Sequence, residues 1–430
     1  MNFRVGIIGG GAAGMMAALA VQEFCQRATV LLFEKNAYLG AKVIISGGGR
    51  CNVTTGIKDV RKLLENYPRG AKFLMSAMFR FPPEAVMAWF EDHGVPLKVE
   101  EGLRVFPKSD LGKDVVGALE KALQEAGVVV RLNANVTRIS HGDAGDAQHG
   151  RFLIEDLQGG AEHVDFLIIT TGGNAYRHTG STGDGYAFAK KLGHSITPLG
   201  PSLNSFTVAE KWIGEVAGVS FEKIGARLIS FDGKRSFERT GPLVFTHRGI
   251  SGPAIFALSS ASAFEQYGSS EPMKLLVNFF PDERPDVLKK RLDEQLEIHS
   301  KKLLSNFLDI FLPHSFCQPF VETAGLNATK QVAQLNREER NKMLIFLQAF
   351  PLSVVGRGAG DEFVTAGGVV LDEVNTNTME SKICPGLYFA GEILDVDGYT
   401  GGFNLQASWA MGRLAGESLG KVVASTSQRE

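Results

Sequence analysis

The sequence predicts an α/β fold in more than one domain, on three observations. A short apolar run, "FRVGII" (Phe3 to Ile8), is followed by a glycine-rich turn and then by helix-spaced apolar residues in "GMMAALAVQEF". A second apolar run, "TVLLFEK", follows one helix later. Near the far end, "GLYFAGEILDVDGYTGGFNLQASWAMGRLAG" repeats the succession of strand, glycine loop and helix. At 430 residues the chain exceeds what one hydrophobic core usually organises, so two or three domains are expected.

Each element has a physical reason. "FRVGII" is continuous and not alternating, as in a parallel strand covered on both faces. Gly9, Gly11 and Gly14 complete a G-x-G-x-x-G spacing at the strand-to-helix turn. Gly9 permits the tight turn, Gly11 lets backbone approach a pyrophosphate, and Gly14 lets the helix pack on the strand. Ala12 and Ala13 open that helix, whose N-terminal N–H groups favour phosphate. "TVLLFEK" places Glu34 about 20 residues after Gly14, where a carboxylate accepts hydrogen bonds from a ribose 2′-OH and repels a 2′-phosphate. The alternative for Glu34 is a solvated charge at a strand end. Together these residues predict a dinucleotide with an adenosine ribose, and NAD and FAD both remain open at this point.

The rest of the chain bears on that choice. "GAKVIISGGGRCNVT" (Gly40 to Thr54) is a second glycine-dense loop, with Lys42 and Arg50 flanking Gly47, Gly48 and Gly49, so backbone passes close to something flat or anionic. "GVVVRLNANVTRI" reads as two short strands, and "VDFLIITTGG" as a buried strand ending in Thr171, Gly172 and Gly173. In the closing segment a strand leads to Gly391 and Glu392, a glycine loop and a helix beginning around Asn404. A chain that returns to its first domain in this way wraps one large cofactor. Between these ends, "IGARLISF" and "MKLLVNFF" suit an antiparallel β domain over about 191–278, and residues 279 to about 345 show helical spacing of Leu, Ile and Phe. Charges in the helical stretch balance, so they read as solvated faces.

Composition excludes some classes. A formal charge of −2 supplies no global basic field for nucleic acid, although a local groove is invisible in that sum. Four cysteines (Cys25, Cys51, Cys317, Cys384) without a C-x-x-C pair argue against a zinc cage, a dithiol redox centre and a disulfide framework, so no metal site is expected and a reducing cytoplasm fits. Met1 leads straight into a strand, and no run of about 18 apolar residues occurs, which predicts an unexported cytoplasmic protein without a membrane partner. No second G-x-G-x-x-G follows a strand, so any NAD(P)H is expected to bind transiently and not in a nicotinamide domain of its own.

Taken together, the N-terminal fingerprint, "SGGGRCNVT", "TGGNAYRHTGSTGDGYAFAKKLGH", "GPLVFTHRGISGPAIF" and "AGEILDVDGYTGGFNLQ" resemble the BaiN/RdsA (YhiN-like) family of FAD-dependent oxidoreductases, over essentially the whole chain. The resemblance implies a discontinuous, Rossmann-like FAD domain of the glutathione-reductase type (1–190 and 360–430). Into it are inserted a β-barrel-like domain (191–278 and 346–359) and a small helical domain (279–345).

The resemblance also carries roles. Gly9, Gly11 and Gly14 cradle the pyrophosphate, Glu34 holds the adenosine ribose, and Lys35 lies beside the adenine. Val136 meets the adenine edge, and Thr171 with Gly172 passes the pyrophosphate. Gly391 and Glu392 stand where many relatives have Gly-Asp, an acid that bonds the ribityl and phosphate region. Lys42, Gly48, Gly49, Arg50 and Asn52 in the second loop, and Gly402, Phe403 and Asn404 at the last helix, complete the FAD set, with that helix aimed at the flavin N1–C2=O edge. Cys51 is either a proton donor beside the flavin or a small buried hydrophobe. His247 and Arg248 precede a helix with Ser251 as N-cap and Pro253 in its first turn, and either orient the acceptor or buttress an interdomain contact. Three functions remain open. The first is a reductase passing hydride from NAD(P)H to an unsaturated small molecule or a ribosomal RNA uridine. The others are an O₂-using amine oxidase, and an RNA-binding or structural protein whose FAD does not turn over. DNA is not an expected partner.

Overall fold

The structure, a computed structural model, describes residues 3–142, 150–358 and 363–427. Two units make up the chain: Met1–Pro201 with Asp361–Glu430, and Ser202–Gly360. The first crossing falls after Pro201, later than residue 190, because residues 195–197 bond back to the first unit, with Thr197 N donating to Gly368 O at 2.9 Å and Val370 N to Ser195 O at 3.0 Å. The expected return at residue 360 lies outside the described residues.

A five-stranded parallel sheet forms the centre of the first unit. Strands β1 (Arg4–Ile8), β2 (Thr29–Phe33), β3 (Val129–Arg131) and β4 (Phe166–Ile169) are joined by Leu387–Phe389 from the far end of the chain. The order is Leu387–Phe389, β4, β1, β2, β3. Ile7 pairs with Ile168 on one side and Leu32 on the other, so the central strand is apolar on both faces, as its continuous run requires.

Helix α1 (Ala12–Phe24) follows β1, and the 25-residue helix α2 (Phe403–Ser427) lies along it. Three glycines spaced by four make that approach possible. A Cβ on Gly412 would stand 2.3 Å from Ala13 O, one on Gly416 2.3 Å from Ala17 O, and one on Gly420 2.8 Å from Phe24 Cβ. Below about 3 Å these are contacts that no side chain can occupy.

The second unit is a closed antiparallel barrel. Its strands are β5 (Phe206–Val208), β6 (Ser220–Ile229), β7 (Ser236–Thr246), β8 (Gly249–Ser251), β9 (Met273–Asn278) and β10 (Phe350–Arg357), in the order β5, β8, β7, β6, β9, β10. Helices Pro285–Ile298, Leu304–Leu308, His314–Thr323 and Arg337–Gln348 fill the stretch read as helical. They share one core with the barrel: Phe316 lies 5.0 Å from Phe245 and 5.2 Å from Phe350, ring centre to ring centre. Aromatic packing of this density makes the helices part of the barrel unit.

A buried histidine ties the first unit's C-terminal segment to residue 194. The His194 ring is enclosed, with Nε2 2.7 Å from Ser381 Oγ and Nδ1 3.1 Å from Glu373 Oε2. Ser381 Oγ already accepts from the N–H groups of Ile383 and Cys384 at 3.0 and 2.8 Å, so its own proton goes to Nε2 and Nδ1–H donates to Glu373. Burial lowers the His194 pKa and keeps the ring neutral. A lowered folded pKa means that the unfolded chain takes up the proton first.

Two expectations follow. Stability should therefore decline as pH falls below about 6.5, and His194→Gln should flatten that part of the pH profile in urea titrations; an unchanged profile refutes the assignment. Gly416→Ala gains about 1 kcal/mol of helix propensity but meets backbone, an overpacking of about 1–3 kcal/mol, so it should destabilise. Gly117→Ala, on the exposed face of helix Gly112–Glu125 with no atom within 4 Å of the added Cβ, should stabilise by about 1 kcal/mol. Thermal unfolding of the two variants decides: equal signs would show that the helix contact is not tight.

Candidate active site

The fingerprint glycines divide into two kinds. A Cβ on Gly9 (φ 106°) would lie 2.5 Å from Thr170 O, and one on Gly14 would lie 1.9 Å from Gly9 O, so both are demanded by packing. Gly11 has no atom within 4 Å of the same position and opens onto free space at the start of α1. That is the arrangement a phosphate needs: bare N–H groups, no side chain, and the positive end of a helix dipole.

Glu34 directly follows β2 and is buried, at 8% exposure, so it is not a solvated strand-end charge. One carboxylate oxygen accepts from Gly10 N and the other from Asn36 N, both at 2.8 Å. Burial raises its pKa, while the two N–H donors and Lys35 act against that rise. The carboxylate is thereby fixed beside the glycine turn with lone pairs left for hydroxyl donors. Lys35 Nζ donates to Thr182 Oγ1 at 2.6 Å and Asp184 Oδ2 at 2.7 Å, which brings the "GSTGDG" loop to the same end. Asp184 and Asn36 were not legible in the sequence, because only the fold brings the 180–184 loop to Lys35.

At the C-terminal edge of the sheet three further segments converge. Glu392 accepts from Lys42 Nζ at 2.6 Å and from Thr365 N at 2.8 Å, joining the second glycine loop to the closing one. Gly173 must be glycine there, since a Cβ would stand 2.5 Å from Thr365 Oγ1 and 2.9 Å from Glu392 Oε1. Gly172 (φ 74°) and Gly391 (φ 86°) both adopt left-handed backbone, which glycine accepts without penalty. Gly402 (φ 86°) would place a Cβ 2.3 Å from Thr54 O, so the start of α2 sits against the second loop. Val136 is buried and opens the strand Val136–His141.

These segments fit FAD. Thr171 Oγ1 and Asn52 Oδ1 are buried polar atoms without a hydrogen-bond partner, and Gly48 and Gly49, both with positive φ, have nothing within 4 Å of an added Cβ. Orphaned polar atoms cost free energy unless something bonds them, and the hydroxyls and phosphates of FAD would supply such partners. FAD held there supplies a two-electron acceptor and donor of hydride.

Several sequence expectations are corrected. Arg50 turns away from the glycine loop toward the hairpin beside it: its Nη2 lies 2.5 Å from Glu100, its Nε 2.7 Å from Asp110, and its guanidinium 4.0 Å from the Phe106 ring centre. Two carboxylates and an aromatic face engage it, so it anchors the loop to that hairpin. Cys51 is fully buried in left-handed backbone (φ 60°), and burial pushes its thiol up to about 12, against a weaker pull from Ser46. Of its two readings, this burial favours the small buried hydrophobe. Ser251 ends β8 and caps nothing; the N-cap of helix Pro253–Ala261 is Gly252 at φ 109°, with no side-chain cap. His247 and Arg248 form the exposed two-residue turn between β7 and β8 in the second unit. Helix α2 starts at Phe403, and the Asn404 amide is spent on Gly398, accepting from its N–H and donating to its carbonyl, both at 2.8 Å.

All four cysteines are free and buried. Among the described residues no cluster of His, Cys, Asp or Glu forms a metal site, and no helix is long and apolar enough to cross a membrane.

Residues 3–418 match the family described as HI0933-like protein Rossmann domain. The chain is 30% identical over 417 residues to the 3-dehydro-bile acid delta(4,6)-reductase of Clostridium scindens (strain ATCC 35704 / DSM 5676 / VPI 13733 / 19), covering 96% of this chain and 98% of that protein. It is also 30% identical over 414 residues to the ribosomal RNA dihydrouridine synthase of Escherichia coli (strain K12), covering 95% and 96%. Among solved structures, the 3-ketosteroid-delta4-(5alpha)-dehydrogenase from Rhodococcus jostii RHA1 superposes with a TM-score of 0.52 at 14% identity, covering 97% of each chain, a likeness of fold. The fingerprint, the fixed Glu34, the orphaned polar atoms and these full-length relatives agree, and the chain belongs to the HI0933-like Rossmann-domain family of FAD-dependent oxidoreductases.

Proposed function

We propose that this protein reduces a ring carbon–carbon double bond conjugated to a carbonyl, with hydride supplied by NAD(P)H and relayed through FAD. One observation carries the reading: the two relatives that match nearly the whole chain are named for reductions of that kind, one at the delta(4,6) unsaturation of a 3-oxo bile acid and one at the uracil ring of ribosomal RNA. In both acceptors the carbonyl polarises the double bond, so hydride adds at the far carbon and a proton at the near one. NAD(P)H and one proton are consumed, and NAD(P)⁺ and the saturated carbonyl compound are released.

The chain's own residues hold and bias the cofactor. Gly9, Gly11 and the first turn of α1 take the pyrophosphate, Glu34 takes the ribose hydroxyls, and Lys42 with Glu392 borders the ribityl region. With FAD bound, the N-terminus of α2 would direct its partial positive charge toward the flavin N1–C2=O edge, where negative charge gathers on reduction, and so would favour the reduced state. NAD(P)H binds transiently at the flavin face.

The purified protein should be yellow with one FAD per chain, released intact by acid. NADPH should bleach it under anaerobic conditions, and a cyclic enone or a uridine-containing ribosomal RNA fragment should restore the colour in stopped-flow mixing. Fast reoxidation by air with peroxide release and amine turnover would replace the reading with an oxidase. Absence of any redox turnover would leave a binding protein. Loss of a ribosomal RNA dihydrouridine from a deletion strain would assign the RNA acceptor; its retention, with no second enzyme substituting, would remove that acceptor and leave the small molecule leading.

Glu34→Ala should weaken FAD retention by about 1–3 kcal/mol, the scale for a charged hydrogen-bond partner, while the spectrum of retained flavin stays as in the parent. Equilibrium dialysis of apoprotein measures this; equal affinity in variant and parent would remove Glu34 from the site.

A further inference from the structure

The loop between Gly391 and α2 contains a buried ion pair that no motif in the sequence announces. Asp397 is completely buried, and its carboxylate takes both a 2.5 Å bond from Arg69 Nε and a second from Arg69 Nη2, although the two residues stand 328 positions apart. The two backbones also form an antiparallel bridge at these residues. Planar two-point pairing of this kind fixes orientation as well as charge.

The neighbours of Arg69 grip the rest of the same loop. A Cβ on Gly70 would stand 2.5 Å from Val396 Cγ2, so the segment presses directly on the loop. Asn66 O accepts from Tyr399 N at 2.9 Å, and the Tyr67 hydroxyl donates to Phe403 O at 2.7 Å, with the Tyr67 and Phe403 rings edge to face at 6.0 Å. Asn404 closes the loop onto Gly398. Residues 66–70 therefore hold both ends of the span from Val396 to Phe403, the first residue of α2.

We infer that Arg69 is a positioning residue for the flavin, acting through Asp397: it fixes the closing loop so that the N-terminus of α2 is held at a set place and angle, and it neutralises a carboxylate that would otherwise oppose the helix dipole there. The inference rests on the reading that α2 points at the flavin. Its consequence is electrostatic. A loosened helix end, or an unpaired Asp397, makes the reduced flavin less favourable without removing any FAD ligand.

The test is the midpoint potential of the FAD-loaded protein, by anaerobic dye titration, with FAD content and melting temperature measured alongside. Arg69→Gln should retain FAD and lower the reduced-to-oxidised ratio about tenfold at a given potential, 29.6 mV for a two-electron couple. Arg69→Lys, which keeps the charge and loses the fork, should fall between. Arg80→Gln serves as the structural control, because Arg80 pairs with buried Glu417 farther along α2. It should lower the melting temperature and leave the potential alone. If Arg69→Gln loses its flavin, Arg69→Lys decides. A parental potential in the FAD-retaining Arg69 variant, or an equal shift in Arg80→Gln, overturns the inference. Asn404→Asp read against Asn404→Ala separates the two levels: both lose the Asn404 amide's bonds to Gly398, and only the carboxylate should lower the potential further if that end of α2 faces the flavin. No difference between those two removes the reading itself, whereas such a difference without a shift in the Arg69 variants removes only the role of Arg69.

Discussion

The close approach of α1 and α2 is the contact on which the first unit depends. Its two halves are separated by a whole inserted unit, so the returning chain must find the N-terminal one again and lock there. Gly412, Gly416 and Gly420 let the two helix backbones meet where side chains would hold them apart. Backbone contact of this kind maximises dispersion over a long interface and fixes the register of α2 along its axis. That register then decides where the first turn of α2 stands, some distance from the glycines themselves.

Polar contacts finish what the glycines begin. Trp409 Nε1 donates to Val53 O at 3.0 Å, and Thr54 Oγ1 bonds Gln406 Oε1 at 2.6 Å, so α2 also grips the strand after the second glycine loop. Gln406 Nε2 reaches Phe81 O at 2.9 Å. These groups are buried, and each would cost free energy without its partner. The first glycine turn, the second glycine loop and the closing loop are thus referenced to one helix, which brings three segments distant in sequence together.

The site divides into groups satisfied by protein and polar groups left without a protein partner. Arg50, expected in the FAD set, is engaged by a hairpin, and Cys51, read as either a proton donor or a buried hydrophobe, lies in the core. Thr171 and Asn52, which are chemically modest, retain polar atoms with nothing to bond. Reactivity of residue type is a poor guide here, because the fold decides whether a side chain's polar atoms find a partner.

The sequence by itself determined the strand, turn and helix at the start, the G-x-G-x-x-G spacing, the carboxylate at Glu34 and the return of the chain in its last segment. All of these are local patterns: the glycines act through their own dihedrals, and β1 and β2 are apolar runs whose burial follows from composition. The resemblance of its motifs added FAD and the inserted barrel, which periodicity could not supply. Tertiary structure alone decided the rest. It merged the helical stretch with the barrel through Phe316, turned Arg50 outward, buried Cys51, moved the helix cap from Ser251 to Gly252, and paired Arg69 with Asp397. The physical reason is the same in each case: the deciding partner lies far away in the chain or depends on a backbone conformation set by packing, and a residue's chemical type does not say which neighbour will reach it.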